Sequence, residues 1–267
     1  MATKSFNQTY SNNSTIELRH ESCFDYLKTI PSNSIDLILI DPPYEVSRDT
    51  NFSSGAPKGT NADRFRVDMD FGDWDKNFEG LDTCIEESYR VLRKGGTIIC
   101  FYDLWKITYL KQYMDAAGFK QVRFIEWLKT NPVPLNSKVN YLTNAREIAV
   151  TAVKCGRPTF HGEYDNGKYE TAICHDKGRF HPTQKPVDLI SSLICKHSNP
   201  GDTVLDFFSG SGTTAVAAIT NGRNFKGCEI SENYYKKSIS RICARMGNER
   251  GGSYGGPRQT SAEGNQG

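Results

Sequence analysis

Asp41-Pro42-Pro43-Tyr44 directly follows the apolar run 36–40, where a buried strand would release the chain. The carboxyl end of a strand is the place where open α/β sheets put their ligand sites. Two prolines stiffen such a turn and remove its backbone donors, so its carbonyls stay available as acceptors. Asp41 and the Pro42 carbonyl are therefore suited to receive both hydrogens of one amino group. Accepting from both N–H bonds raises electron density on an aniline-like nitrogen as an incoming carbon arrives. Tyr44 adds a flat face on which a ring can stack. Taken alone, the four residues also fit an ordinary strand-ending turn in which Asp41 caps its own backbone.

A second constellation is Asp206-Phe207-Phe208-Ser209-Gly210-Ser211-Gly212-Thr213-Thr214, which closes one β-rich run and opens a helical one. Gly210 and Gly212 would let the backbone approach a ligand closely, and Thr213 and Thr214 offer hydroxyls near the helix start. The loop lacks the third glycine of a dinucleotide fingerprint, and no Gly-Lys-Ser/Thr follows to make a phosphate loop. The next β-rich run ends at Glu229. A carboxylate there suits the two hydroxyls of a ribose, although it would equally cap the helix that begins near Ser231.

The elements that must position these residues alternate between short β-rich runs and longer amphipathic stretches, the rhythm of a layered α/β fold with a mostly parallel sheet. Strands are predicted at 15–18, 36–40, 97–101, 122–127, 147–153, 203–207 and 225–229, and helices at 24–30, 78–93, 105–117, 187–196, 213–220 and 232–246. Two polar segments, 45–76 and 155–186, interrupt the rhythm and read as functional loops. The glycine-rich stretch 249–267 reads as a flexible tail after one catalytic domain at 1–248.

At 267 residues, one substantial core is expected. Lys and Arg number 33 against 31 acidic residues, a net charge of +2 that neither demands nor excludes a polyanion. The eight cysteines include no C-x-x-C pair and follow no secretory signal, which suits reduced thiols in a cytoplasmic protein. A zinc reading would use Cys155, His161, Cys174, His175 and His181, but these lack the paired spacing of structural zinc sites, so no metal is expected. No apolar run approaches bilayer length, so no membrane partner is expected either.

Together, the motifs resemble those of the amino-directed DNA methyltransferases, which act on N6 of adenine or N4 of cytosine, in the permuted order that places D-P-P-Y before the cofactor loop F-x-G-x-G-T-T. The resemblance spans 14–246 and includes His181-Pro182-Thr183-Gln184-Lys185-Pro186 and Trp127-Leu128-Lys129-Thr130-Asn131-Pro132. It implies a Rossmann-like methyltransferase fold that depends on S-adenosylmethionine: an α/β, circularly permuted, seven-stranded, mostly parallel sheet with helices on both faces. It also implies site residues. Asp41, Pro42, Pro43 and Tyr44 form the amino-group site, with Asp41 also bordering the cofactor. Asp206, Phe207, Ser209, Gly210, Gly212, Thr213 and Thr214 surround the methionine half of the cofactor, Glu229 takes its ribose, Thr183 and Lys185 lie near its carboxylate, and Ser22 and Cys23 lie near its adenine. Asp-Phe-Phe at 206–208 departs from the commoner Asp-Pro-Phe, and Ser22 stands where Asp is frequent before Cys.

The implied partner is double-stranded DNA with a flipped base; permuted family members often form a homodimer, and a cognate restriction endonuclease is a candidate partner that the sequence does not decide. Arg48, Lys58, Arg64 and Arg66, together with Lys154, Arg157, Lys168, Lys177 and Arg179, would supply a basic face where they are not simply solvated surface charge. Asp at position 41 favours N6 of adenine, with N4 of cytosine the alternative by the same chemistry. Methyltransferases for RNA or for a protein glutamine usually carry Asn there and an earlier cofactor loop. A non-catalytic nucleic-acid-binding relative would have eroded Asp41 or the glycines.

Overall fold

The computed structural model of the chain describes residues 4–43, 78–132, 144–173, 180 and 184–248. Among them, nine strands form one sheet: β1 (Lys4–Thr9), β2 (Thr15–His20), β3 (Ile35–Ile40), β4 (Leu92–Tyr102), β5 (Lys120–Lys129), β6 (Arg146–Val153), β7 (Lys168–Thr171), β8 (Thr203–Asp206) and β9 (Asn224–Glu229). The helices are α1 (Cys23–Thr29), α2 (Leu81–Val91), α3 (Ile107–Ala117), α4 (Val187–His197), α5 (Thr213–Thr220) and α6 (Glu232–Asn248). The spatial order is β1-β2-β9-β8-β3-β4-β6-β5-β7. β2, β9, β8, β3 and β4 run parallel, and β6 runs antiparallel between β4 and β5.

The central strand β3 is Ile-Asp-Leu-Ile-Leu-Ile and is buried along its whole length. A parallel strand covered on both faces needs such a continuous apolar run rather than alternation. Leu37 and Leu39 face the core beneath α4, α5 and α6, whereas Ile38 and Ile40 face the core beneath α1, α2 and α3. Each of these side chains contributes about 1.5–3 kcal/mol by leaving water, enough to pin β3 in register against its neighbours.

The chain moves outward from the middle of the sheet in opposite directions, from β8 through α5 to β9 and from β3 through α2 to β4. The carboxyl ends of β8 and β3 therefore flank the crevice where strand order reverses, which is the usual ligand site of this architecture.

The sheet exceeds the expected seven strands by two, both at its edges. β1 is polar and exposed except at Phe6, and β7 carries only Tyr169 and Thr171 half-buried. An edge strand has one neighbour and one weakly covered face, so it needs no apolar alternation to announce it. The helix predicted at 78–93 is shorter, because Gly80 has φ +93° and a Cβ there would lie 2.9 Å from the Phe24 ring. Leu92 already pairs with Ile35 as the first residue of β4. β8 ends at Asp206, which puts Phe207 in the turn.

Candidate active site

Asp41 leaves the end of β3 with its side chain one-fifth exposed. Its Oδ2 accepts a hydrogen bond from Lys185 Nζ at 2.5 Å, and its Oδ1 is buried with no hydrogen-bond partner among the described residues. Lys185 precedes α4, is itself buried, and lies over the Phe101 ring at 4.9 Å. Its ammonium also pairs with Glu147 Oε2 at 3.0 Å, and Glu147 Oε1 pairs with Lys129 Nζ at 2.8 Å. Four alternating charges thus run from β5 across β6 to the end of β3. Burial raises the Asp41 carboxyl above its ordinary value; attraction to Lys185 opposes this and the Glu147 charge reinforces it. For Glu147 burial is outweighed by Lys185 and Lys129, which hold it below the usual range. A carboxylate with one oxygen tied to a cation and the other unpartnered is an acceptor directed at something outside the protein.

Across the crevice the glycine loop joins β8 to α5. Gly210 and Gly212 have φ of +48° and +72°, the left-handed region that glycine alone enters at little cost. A Cβ on Gly212 would lie 3.1 Å from Ser238 Cβ and 3.3 Å from Ile242 Cδ1, so this glycine is needed for contact with α6. Arg241 of α6 braces the loop, its Nη1 donating to the Ser211 carbonyl at 2.9 Å and to Thr213 Oγ1 at 2.9 Å. Ser209 Oγ is buried with no partner among the described residues. Glu229, at the end of β9, is buried and accepts from Gly210 N–H and Ser231 N–H, each at 2.8 Å.

Asp206, which opens the second motif at the end of β8, is buried. Burial pushes its carboxyl up to about 7, against hydrogen bonds from Thr214 and the Phe208 N–H and with the charges of Asp41 and Glu229 adding to the rise. Phe207 is buried beneath the loop, Thr213 and Thr214 open α5, and Pro42 and Pro43 continue the chain from Asp41.

The sequence-predicted residues Asp41, Pro42, Pro43, Lys185, Asp206, Phe207, Ser209, Gly210, Gly212, Thr213, Thr214 and Glu229 thus gather on one edge of the sheet. Ser22 and Cys23 join them, since Glu21 N–H donates to the Glu229 carbonyl at 3.2 Å, but their side chains serve other ends. Ser22 Oγ caps α1 through Asp25 N–H, and Cys23 is buried with its sulfur 3.9 Å from that of Cys84. The Lys185 ammonium, expected beside the cofactor carboxylate, engages Asp41 and Glu147. Tyr44 and Thr183 lie outside the described residues, as do Arg48, Lys58, Arg64, Arg66, Lys177, Arg179, Cys174, His175, His181, Pro182, the segment 45–76 and the tail 249–267.

Two predicted basic residues sit elsewhere. Because β6 runs antiparallel, Lys154 and Arg157 emerge at the opposite edge, where Lys154 Nζ donates to Asn33 Oδ1 at 2.8 Å and to the Leu92 carbonyl at 2.7 Å. The following segment returns to the site edge only through β7, parallel to β5. Glu147, Lys129 and Arg241 were absent from the sequence-predicted site. Lys129 was visible within the Trp127–Pro132 motif and Glu147 as the acid heading an apolar run, but their partners depend on tertiary packing.

The family model for DNA methylases matches residues 35–240. The chain is similar to the type II methyltransferase M.HinfI of Haemophilus influenzae, 34% identical over 248 residues that cover 82% of this chain and 66% of that protein. It is similar to M2.DpnII of Streptococcus pneumoniae at 32% identity over 254 residues, covering 87% and 91%. Among solved structures, the M1.HpyAVI–SAM complex superposes with a TM-score of 0.63 at 27% identity, covering 85% of this chain and 99% of that one. The cytosine-N4-specific PvuII DNA methyltransferase superposes with a TM-score of 0.65 over 90% of this chain and 93% of that one, and at 17% identity it supports the fold alone. With the matched segment running from the first residue of β3 into α6 and enclosing both sides of the crevice, the chain belongs to the DNA methylase family.

Proposed function

We propose that the chain transfers a methyl group from S-adenosylmethionine to the N6 amino group of an adenine flipped out of double-stranded DNA. The observation that carries this reading is the Asp41 carboxylate, held by Lys185 on Oδ2 and unpartnered on a buried Oδ1. Family membership and the likeness to the M1.HpyAVI–SAM complex supply the cofactor.

The residues fit that cofactor. The unpartnered Ser209 hydroxyl, the positive φ of Gly210 and the fixed Glu229 carboxylate line one crevice. Glu229, held by Gly210 N–H and Ser231 N–H, is the carboxylate that would meet the ribose hydroxyls. When bound, the cofactor supplies an electrophilic methyl group on a sulfonium. Asp41 Oδ1 holds one amino hydrogen of the base and the Pro42 carbonyl the other, which directs the nitrogen lone pair out of the ring. Pro43 stiffens the turn, and Tyr44 stacks on the extruded ring. Ser209, Thr213 and Thr214 with Phe207 shape the methionine pocket, Thr183 and Lys185 close it, and Ser22 and Cys23 border the adenine through their backbone.

Target recognition belongs to 45–76 and to the part of 155–186 that follows β7, within a catalytic unit of 1–248. Activity on DNA implies a cytoplasmic enzyme, and a homodimer and a cognate restriction endonuclease complete the reading; no helix among the described residues is long and apolar enough to cross a membrane.

The test is incubation of the purified chain with labelled cofactor and duplex DNA, followed by digestion to nucleosides and mass spectrometry. N6-methyladenine is expected. N4-methylcytosine would move the target to the other amino-bearing base, and 5-methylcytosine or no transfer would refute the amino-group chemistry.

A further inference from the structure

We infer that Glu147, anchored by Lys129, is a positioning residue that acts on Asp41 through Lys185 and thereby sets how Asp41 meets the amino group; this rests on the methyl-transfer reading above. Lys185 is buried, and a buried ammonium needs more than one anionic partner direction to hold one orientation. Glu147 supplies the second, its Oε2 3.0 Å from the ammonium. Lys129 in turn fixes the other Glu147 oxygen at 2.8 Å and stacks its ammonium over Trp127 at 5.4 Å. The row of charges is neutral as a whole and, among the described residues, its open end is Asp41 Oδ1.

This arrangement reconciles two demands on Asp41. It must be ionised to accept, which Lys185 favours, yet it must stay a strong acceptor, which a fully committed ammonium would weaken. Glu147 draws off part of the Lys185 charge, and Lys129 limits how much. The groups facing Asp41 are Lys185 before α4, Glu147 on β6, Lys129 on β5, Asp206 on β8 and Cys100 on β4. Of these, the Glu147 charge raises Asp41 and the Lys129 charge lowers it.

The two neutral variants therefore have opposite signatures. In Glu147→Gln the acidic limb of the kcat–pH profile moves to lower pH and in Lys129→Gln to higher pH, each by about half a unit to one unit, the scale of a neighbouring charge. At the plateau Glu147→Gln loses about tenfold or more in kcat, because the acceptor is weaker and less well held, while cofactor affinity by calorimetry stays within about threefold. Profiles are taken at saturating cofactor and DNA, so that Asp206, which neither variant touches, contributes equally. A merely structural role would lower kcat and cofactor affinity together and leave both limbs in place, and that result overturns the inference. Should Glu147→Gln fail to fold, Lys129→Gln decides alone: an upward shift supports the inference and an unmoved limb overturns it. If the wild-type chain transfers no methyl group, the functional reading has failed; if it does and neither limb moves, only the positioning role has.

Discussion

Replacing Asp206 by Asn would expose the electrostatics of the crevice. The side chain is 4% exposed, and burial pushes the folded-state carboxyl up to about 7 from an ordinary 3.8. The folded protein thus holds this proton more tightly than the unfolded chain does, so the stability it contributes is fully present below about pH 4 and is lost as pH rises through about 7. At about 1.4 kcal/mol per pH unit, a separation of about three units amounts to about 4 kcal/mol in all, of which about 1.5 is lost by pH 5 and about 2.5 between pH 5 and pH 8. Asn cannot ionise and loses nothing over this range. The stability of Asp206→Asn relative to wild type should therefore rise by about 2.5 kcal/mol from pH 5 to pH 8. A reversed hydrogen bond to Thr214 adds an offset, but one independent of pH. Urea denaturation without cofactor at pH 5, 6, 7 and 8 reads the trend, with a constant slope against urea confirming that only stability changes. A difference that stays flat across this range would refute the claim that Asp206 is protonated in the folded crevice near neutrality.

Asp41→Ala should reduce methyl transfer at least about a hundredfold while leaving cofactor affinity by calorimetry within a few-fold, since it removes an acceptor used at the reacting nitrogen; activity near wild type would mean that another group accepts the amino hydrogen. Gly212→Val combines a left-handed φ with contact against Ser238 and Ile242. The backbone cost of about 1–2 kcal/mol and overpacking of about 1–3 kcal/mol should appear together in denaturation, with cofactor binding lost. Neutralising Arg64 and Arg66 should flatten the salt dependence of DNA binding, whereas Arg157→Gln, at the far edge of the sheet, should leave it unchanged; equal slopes in both would misplace the DNA face.

What was legible in the sequence follows from how locally each feature is determined. β3 was readable because a strand buried on both faces carries apolar residues in succession, here 37–40, and the Gly210–Gly212 loop because its backbone angles restrict the residue type on the spot. β1 and β7 were not, since their stability comes from pairing with β2 and β5 rather than from their own side chains. The charges were the hardest to read. Lys154 and Lys185 look alike in sequence, yet one secures backbone carbonyls at the amino edge and the other a carboxylate at the carboxyl edge. The antiparallel run of β6 separates them. The edge that Lys154 reaches follows from strand direction, whereas the Lys185–Glu147 contact depends on how the segment before α4 packs against the sheet.

The two aspartates that end the neighbouring strands β3 and β8 show how one crevice can serve two ligands of different charge. Asp41 has a lysine ammonium at 2.5 Å, whereas no Lys or Arg among the described residues offsets the burial of Asp206. At Asp41 the attraction of its own cation favours the ionised form against the burial that raises the carboxyl, and the carboxylate presents hydrogen-bonding capacity without drawing in a counterion. A buried carboxyl without one is held neutral and gains most from a ligand that arrives positively charged, as a sulfonium bearing an ammonium group does. Under the proposed reading the site thereby favours the cationic cofactor at Asp206 and a neutral amino group at Asp41. Cofactor binding should accordingly release a proton near pH 7 in wild type and none in Asp206→Asn, measured as a buffer-dependent binding enthalpy in the first and a buffer-independent one in the second. Equal dependence in both would locate the charge compensation elsewhere in the crevice.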